Sequence, residues 1–291
     1  MGNKKAFFAV TTTALAAAGT FVACGSDHAA KPDAPVVIHD SPVDTKVIDA
    51  APDAPAYDFS CHGQPLPTTG NATDNITGNV EELSINGTTP SISPLDGATV
   101  ALDMCRSGGN CTGQNHLTGS ATTGGAAGSG NFAFPNVNAN STALTGFVHV
   151  SHTGDRDNYT YLPAPIAADQ VIPVLTFTTT AFATANQFLQ GGQQPQNGNL
   201  ALAVTDCANK PISDTANVVL SIKQGGNDVT GTTTVDLGSL QAQAAGTFIV
   251  FNVPPGATDV GATYNGMQLL TSTVNVTANA STETVIRPGP F

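Results

Sequence analysis

The chain has 291 residues, more than one ordinary domain needs, and carries 9 Lys plus Arg against 21 Asp plus Glu for a formal net charge of −12. That balance repels polyanions, so nucleic acid is excluded as a partner bound through charge. Charged residues make up only 10% of the sequence, against roughly 25% in ordinary soluble domains. With three Glu (Glu81, Glu82, Glu283) and no Trp, helix-forming surface residues are scarce, and the abundance of Thr and Val predicts an all-β protein.

Lys4-Lys5 precede an uncharged stretch from Ala6 to Ala23, the pattern of an export signal. It ends in Phe21-Val22-Ala23-Cys24-Gly25-Ser26, which resembles the lipobox of bacterial lipoproteins, with Phe21 where that family has Leu. The resemblance implies cleavage before Cys24, a diacylglyceryl group on its sulfur and a further acyl chain on the freed amine. Several chains together anchor stably where one does not. Gly25 after the cysteine resembles the outer-membrane sorting class. The expectation is a lipoprotein signal peptide over 1–23 and a lipid-anchored protein of the bacterial cell envelope, at the outer membrane or cell surface.

Residues 24–56 repeat Asp, Ala and Pro, as in Pro32-Asp33-Ala34-Pro35 and Ala51-Pro52-Asp53-Ala54-Pro55, with no aromatic residue to start a core. Such a segment is expected to stay disordered, and its prolines favour polyproline II. At ~3.1 Å per residue it reaches up to ~90 Å from a membrane.

Beyond Tyr57, short apolar runs alternate with Gly, Asn and Pro clusters: Ala98 to Leu102, Phe132 to Phe134, Phe147 to Val150 and Val174 to Phe177. The same order returns in Leu200 to Val204, Val218 to Ile222, Phe248 to Phe251 and Leu269 to Val276. These read as antiparallel strands. Aligned copies pair Ile76 to Val80 with Asn197 to Leu200, Pro94 to Leu102 with Pro211 to Leu220, and Gly130 to Val137 with Gly246 to Val253. Near-equal intervals point to a tandem duplication with one residue inserted near Asp214-Thr215. Phe182, Asn186 and Leu189 fall at helical spacing before Gly191-Gly192, so one short helix joins the copies. The expected division is a first β-sandwich over 57–180, a short helix and linker over 181–194, and a second β-sandwich over 195–291.

In the first copy, Pro94, Gly97, Ala98, Val100 and Leu102 are followed by Gly-x-Phe-x-Phe at Gly130, Phe132 and Phe134, and the second copy ends the corresponding stretch in Asn252-Val253-Pro254-Pro255-Gly256. The succession resembles carboxypeptidase regulatory-like, or transthyretin-like, domains. That likeness implies two tandem Greek-key β-sandwiches of prealbumin type. The second copy departs from the pattern at Asp214-Thr215-Ala216, where Gly-Ala would fall.

No common catalytic signature occurs, and neither a catalytic residue nor a cofactor or metal site is expected. His149 and His152 tempt a metal reading, but on a strand they face opposite sides. Asp155-Arg156-Asp157-Asn158 starts like a calcium loop, yet Tyr159 takes the fifth position and no later Glu closes the cage. With Cys24 lipidated, four cysteines remain, and an oxidising envelope favours disulfides among three connectivities. Cys105 and Cys111 are the best pair, because the turn Arg106 to Asn110 brings them together. A zinc site from Cys105, Cys111 and His116 lacks a fourth ligand. Cys61 and Cys207 are left either paired or free.

The function these features favour is a non-enzymatic, membrane-anchored envelope lipoprotein with structural or interaction roles and an envelope protein as partner. The alternative is a carbohydrate-binding surface module that stacks a glycan on Tyr159, Tyr161 or Tyr264.

Overall fold

A computed structural model of the protein describes residues 57–86, 89–125, 129–186, 192–239 and 244–290. The signal segment, Cys24 and the Asp/Ala/Pro-rich stretch lie outside the described residues. The first half holds β1 (Thr73–Asn86), β2 (Thr89–Pro94), β3 (Thr99–Arg106), β4 (His116–Thr122), β5 (Asn131–Asn138), β6 (Leu144–Ser151), β7 (Asn158–Tyr161) and β8 (Gln170–Phe177). After α1 (Thr179–Asn186) come β9 (Gly198–Val204), β10 (Val218–Gln224), β11 (Asn227–Asp228), β12 (Thr233–Asp236) and β13 (Thr247–Val253). The chain ends in β14 (Gly256–Tyr264), β15 (Met267–Gln268), β16 (Ser272–Val276) and β17 (Ser281–Ile286).

Two β-sandwiches result, and they repeat one another. In the first, β1 pairs with β8 on one side and with β5 and β2 on the other, facing a layer ordered β7-β6-β3-β4. In the second, β17-β9-β13-β12 faces β16-β14-β10-β11, with β15 also on β14. Period-two alternation explains each core. Val100, Leu102 and Met104 of β3 point inward against Ile76, Val80, Phe132, Phe134 and Val174. Val218, Leu220 and Ile222 of β10 do the same against Leu200, Leu202, Phe248 and Ile286, while Val219 between them is 65% exposed.

The likeness of the two sandwiches extends to individual backbone bonds. Val80 N donates to Gly130 O (2.8 Å) and Leu95 N to Val80 O (2.9 Å); Val204 N donates to Gly246 O (2.8 Å) and Ile212 N to Val204 O (2.9 Å). Both glycines have positive φ, +60° and +73°. A Cβ on Gly130 would meet Val80 O, and one on Gly246 would lie 2.9 Å from Val204 O and 3.0 Å from Ile212 N. We therefore expect Gly130→Ala or Gly246→Ala to cost roughly 2–4 kcal/mol, from left-handed strain plus overpacking. Denaturant midpoints check this, and parental stability in both variants would contradict it.

The sandwiches are joined edge to edge. β17 of the second pairs in parallel with β7 of the first, Ser281 to Asn158, Thr282 to Tyr159 and Glu283 to Thr160, which makes one eight-stranded sheet, β12-β13-β9-β17-β7-β6-β3-β4. The unbroken apolar run Phe248-Ile249-Val250-Phe251 reflects this. Phe248 and Val250 enter the second core, while Ile249 and Phe251 face Phe177 and Phe182 across the junction, so both faces of β13 are covered.

The joining helix starts where a cap exists. Thr178 Oγ1 accepts from Ala181 N at 3.0 Å, the N-cap geometry threonine favours, so α1 begins at Thr179. The region around Leu189 lies outside the described residues.

Candidate functional site

Residues 57–61 do not extend the first sandwich; they clasp the second. Phe59 stacks on Tyr264 with centroids 5.6 Å apart, and Tyr57 meets the same ring edge-on at 5.7 Å. Asp58 N donates to Asp206 Oδ2 (2.9 Å) and Cys207 N to Asp58 O (2.7 Å). Cys61 is bonded to Cys207, with Cα atoms 5.7 Å apart. The chain's end closes on the same place. Arg287 is fully buried, donating to Asn209 Oδ1 (3.0 Å) and to Cys207 O (3.1 Å). Burial pushes its pKa down to about 10, opposed by the charge of Asp206. Gly289 lies so close to Cys61 O that a Cβ there would collide with it.

Cys105 and Cys111 are joined, Cα atoms 5.1 Å apart, around the turn expected to bring them together. Their sulfurs are therefore not available as zinc ligands, and His116 Nε2 lies 2.9 Å from Asp103 Oδ1 instead. Cys24 lies outside the described residues.

The three tyrosines separate into two environments. Tyr264 is buried in the second core. Phe147, His149, Tyr159 and Tyr161 form a continuous aromatic row on the face of the eight-stranded sheet opposite Val148 and Val150, because these positions alternate with core positions on β6 and stand in register across to β7. His149 stacks on Tyr159 (4.4 Å, 10° between planes), and Phe147 lies 4.8 Å from Tyr161 and 5.8 Å from Tyr159. Burial raises the pKa of both tyrosines, and Thr277 and Asn275 at the flank of the second sandwich bond Tyr159 and Tyr161 respectively. The row is half-buried and cradled by the other module rather than fully open.

His149 and His152 part company because His149 stands on β6 whereas His152 lies just past its end, in the turn that follows. His149 Nε2 is 3.7 Å from Asp157, whereas His152 Nδ1 is 3.1 Å from Asp155 Oδ2. Asp155 and Asp157 thus turn to different histidines. Glu82, which sequence spacing could not associate with this place, joins His152 and Asp155 from β1. Burial, then the neighbouring Asp155, raises its pKa. Beside them a cleft of about 270 Å³ is lined by Asp155, Arg156, Asp157, Thr179 and Asn279.

A second unanticipated group is Glu283 on β17. Its Oε2 lies 3.0 Å from Thr160 Oγ1 and 3.4 Å from Leu175 N, and burial drives its pKa up to about 7. It sits under β8 between the two sandwiches.

No family model matches the sequence, and no curated protein matches it. Among solved structures it is similar to the shaft pilin SpaA of Lactobacillus rhamnosus GG, 12% identical over 75% of this chain and 98% of that one, TM-score 0.23. It is also similar to GBS52, the minor pilin of Streptococcus agalactiae, 10% identical over 74% and 95%, TM-score 0.22. A third is the streptococcal ancillary pilin, 11% identical over 75% and 63%, TM-score 0.21. At these identities and TM-scores the likeness attaches neither a partner nor a role to this chain.

Proposed function

We propose that this protein is a non-enzymatic lipoprotein of the bacterial envelope, anchored through Cys24, whose carboxypeptidase regulatory-like modules serve structural or interaction roles. The observation that supports it best is continuity. Two sandwiches share one eight-stranded sheet, and the segment entering at Tyr57 is bonded through Cys61 to the far module within a few residues of its start. Such a body holds its outward faces in fixed relation, as a display or spacing element requires.

The anchor is tested on the full chain expressed in a bacterial host. Acyl mass on Cys24 and partition into detergent are expected, with Cys24→Ala moving to the aqueous phase. Wild-type protein recovered from the aqueous phase without acyl mass would remove the anchor.

The half-buried row Phe147, Tyr159 and Tyr161 keeps one further reading, a glycan stacked along the sheet face. Thermal shift against envelope polysaccharides reads it directly. A rise lost in Tyr159→Ala supports glycan binding, and no rise with any polysaccharide leaves a protein partner.

A further inference from the structure

We propose that Glu82, His152 and Asp155 form a binding site for Zn²⁺ at the junction of β1, the end of β6 and the loop leading to β7. Each residue offers one donor atom, and the three atoms lie within 4.8 Å of one another. An ion at about 2.0–2.2 Å from each needs donors roughly 3.3–3.6 Å apart, so side-chain rotation of about an ångström closes the site.

The backbone holds the three donors in place before any ion arrives. Asp155 N donates to His152 O (3.2 Å), a turn that sets imidazole and carboxylate side by side. Arg156 N donates to Phe177 O and Thr178 N to Leu83 O, both at 3.1 Å, tying the loop to β8 and β8 to the residue after Glu82. The Asp155 side chain is only 2% exposed, while that of His152 is 29% exposed. The site is therefore fixed on its inner side and open on its outer side, where water can complete a tetrahedral shell.

Charge supplies an independent argument. Two carboxylates converge on one imidazole, and the obvious counter-ion, Arg156 next in sequence, is turned elsewhere. Its guanidinium lies 3.7 Å above the Phe182 ring, and its Nε and Nη1 are buried without a hydrogen-bond partner. With that guanidinium turned away, a divalent ion can supply the positive charge that the two carboxylates face. The imidazole nitrogen selects the metal, since Ca²⁺ and Mg²⁺ prefer all-oxygen shells whereas imidazole suits Zn²⁺.

The full chain is titrated with ZnCl2 by calorimetry and thermal unfolding, with CaCl2 as the contrast. Zn²⁺ at 100 times its Kd is expected to raise Tm by roughly 5–10 °C, reversibly with a chelator. His152→Gln and Glu82→Gln each lose at least tenfold in affinity, and His116→Gln, at the separate Asp103 pair, retains it. X-ray absorption of the Zn²⁺-loaded chain shows a shell of nitrogen and oxygen, which keeps the test valid if a variant folds poorly. No response at millimolar Zn²⁺, a response undiminished in both variants, or sulfur in the shell would overturn the proposal.

Discussion

Replacing Cys61 and Cys207 together by serine lowers the unfolding free energy by about 5 kcal/mol, the largest single loss expected from this protein. The bond spans a sequence separation of 146 residues, so its removal returns much loop entropy to the unfolded chain. Cys105 and Cys111, separated by 6 residues, close a loop worth only about 2 kcal/mol by the same reasoning. The folded state loses less than the unfolded state gains, because Cys207 N to Asp58 O and Asp58 N to Asp206 Oδ2 hold the clasp without the sulfur. Denaturant unfolding of the two double-serine variants under non-reducing conditions separates the cases. Equal losses in the two, or a smaller loss for Cys61 and Cys207, would contradict the entropic account and place the stabilisation in native contacts.

That clasp also marks where reading along the sequence stops. Local pattern suffices for strands such as β3 and β10, because one buried face forces alternation, and for the equivalence of Gly130 with Gly246, because a positive φ beside a crossing strand admits only glycine. The Cys105–Cys111 bond is equally local, a five-residue turn between two thiols. By contrast Tyr57 and Phe59 rest on Tyr264, about two hundred residues later in the chain, and nothing in their neighbourhood says which module they cover. β17 escapes notice because Ser281-Thr282-Glu283-Thr284 carries its alternation in small polar side chains rather than apolar ones, although Thr282 and Thr284 are buried. The cation site has the same difficulty. His152 and Asp155 are three apart and visible as a pair, but Glu82 reaches them only because β1 lies in parallel beside β8, a non-local pairing that spacing does not reveal.

Glu283 makes the junction sensitive to pH, and Glu283→Gln is expected to abolish most of that sensitivity. Thr160 Oγ1 lies 3.0 Å from Glu283 Oε2 and 2.9 Å from Asn158 Oδ1, and Asn158 Nδ2 donates to Leu175 O at 2.9 Å. Thr160 has one proton for two acceptors. Burial opposes the charged form of Glu283, and the hydrogen bonds from Asn158, Thr160 and Leu175 N offset that only in part, so ionisation leaves an incompletely solvated carboxylate among β17, β7 and β8. The folded pKa, about 7, stands above the ordinary carboxyl value of 4.5, so the native state binds the proton more tightly than the unfolded state. The stabilisation is complete below pH 4.5 and is lost as pH rises through about 7, by up to about 3 kcal/mol at full ionisation. Urea unfolding at pH 5 and pH 8 should therefore show the parent losing stability with rising pH more steeply than Glu283→Gln, whose amide can donate to Thr160 at both values. Identical pH dependence in parent and variant would mean that Glu283 is solvated and charged throughout. Because the bonds it governs connect β17 of one module to β7 and β8 of the other, the parent's loss should appear first as faster amide exchange at Leu175 and Glu283, ahead of exchange within either core.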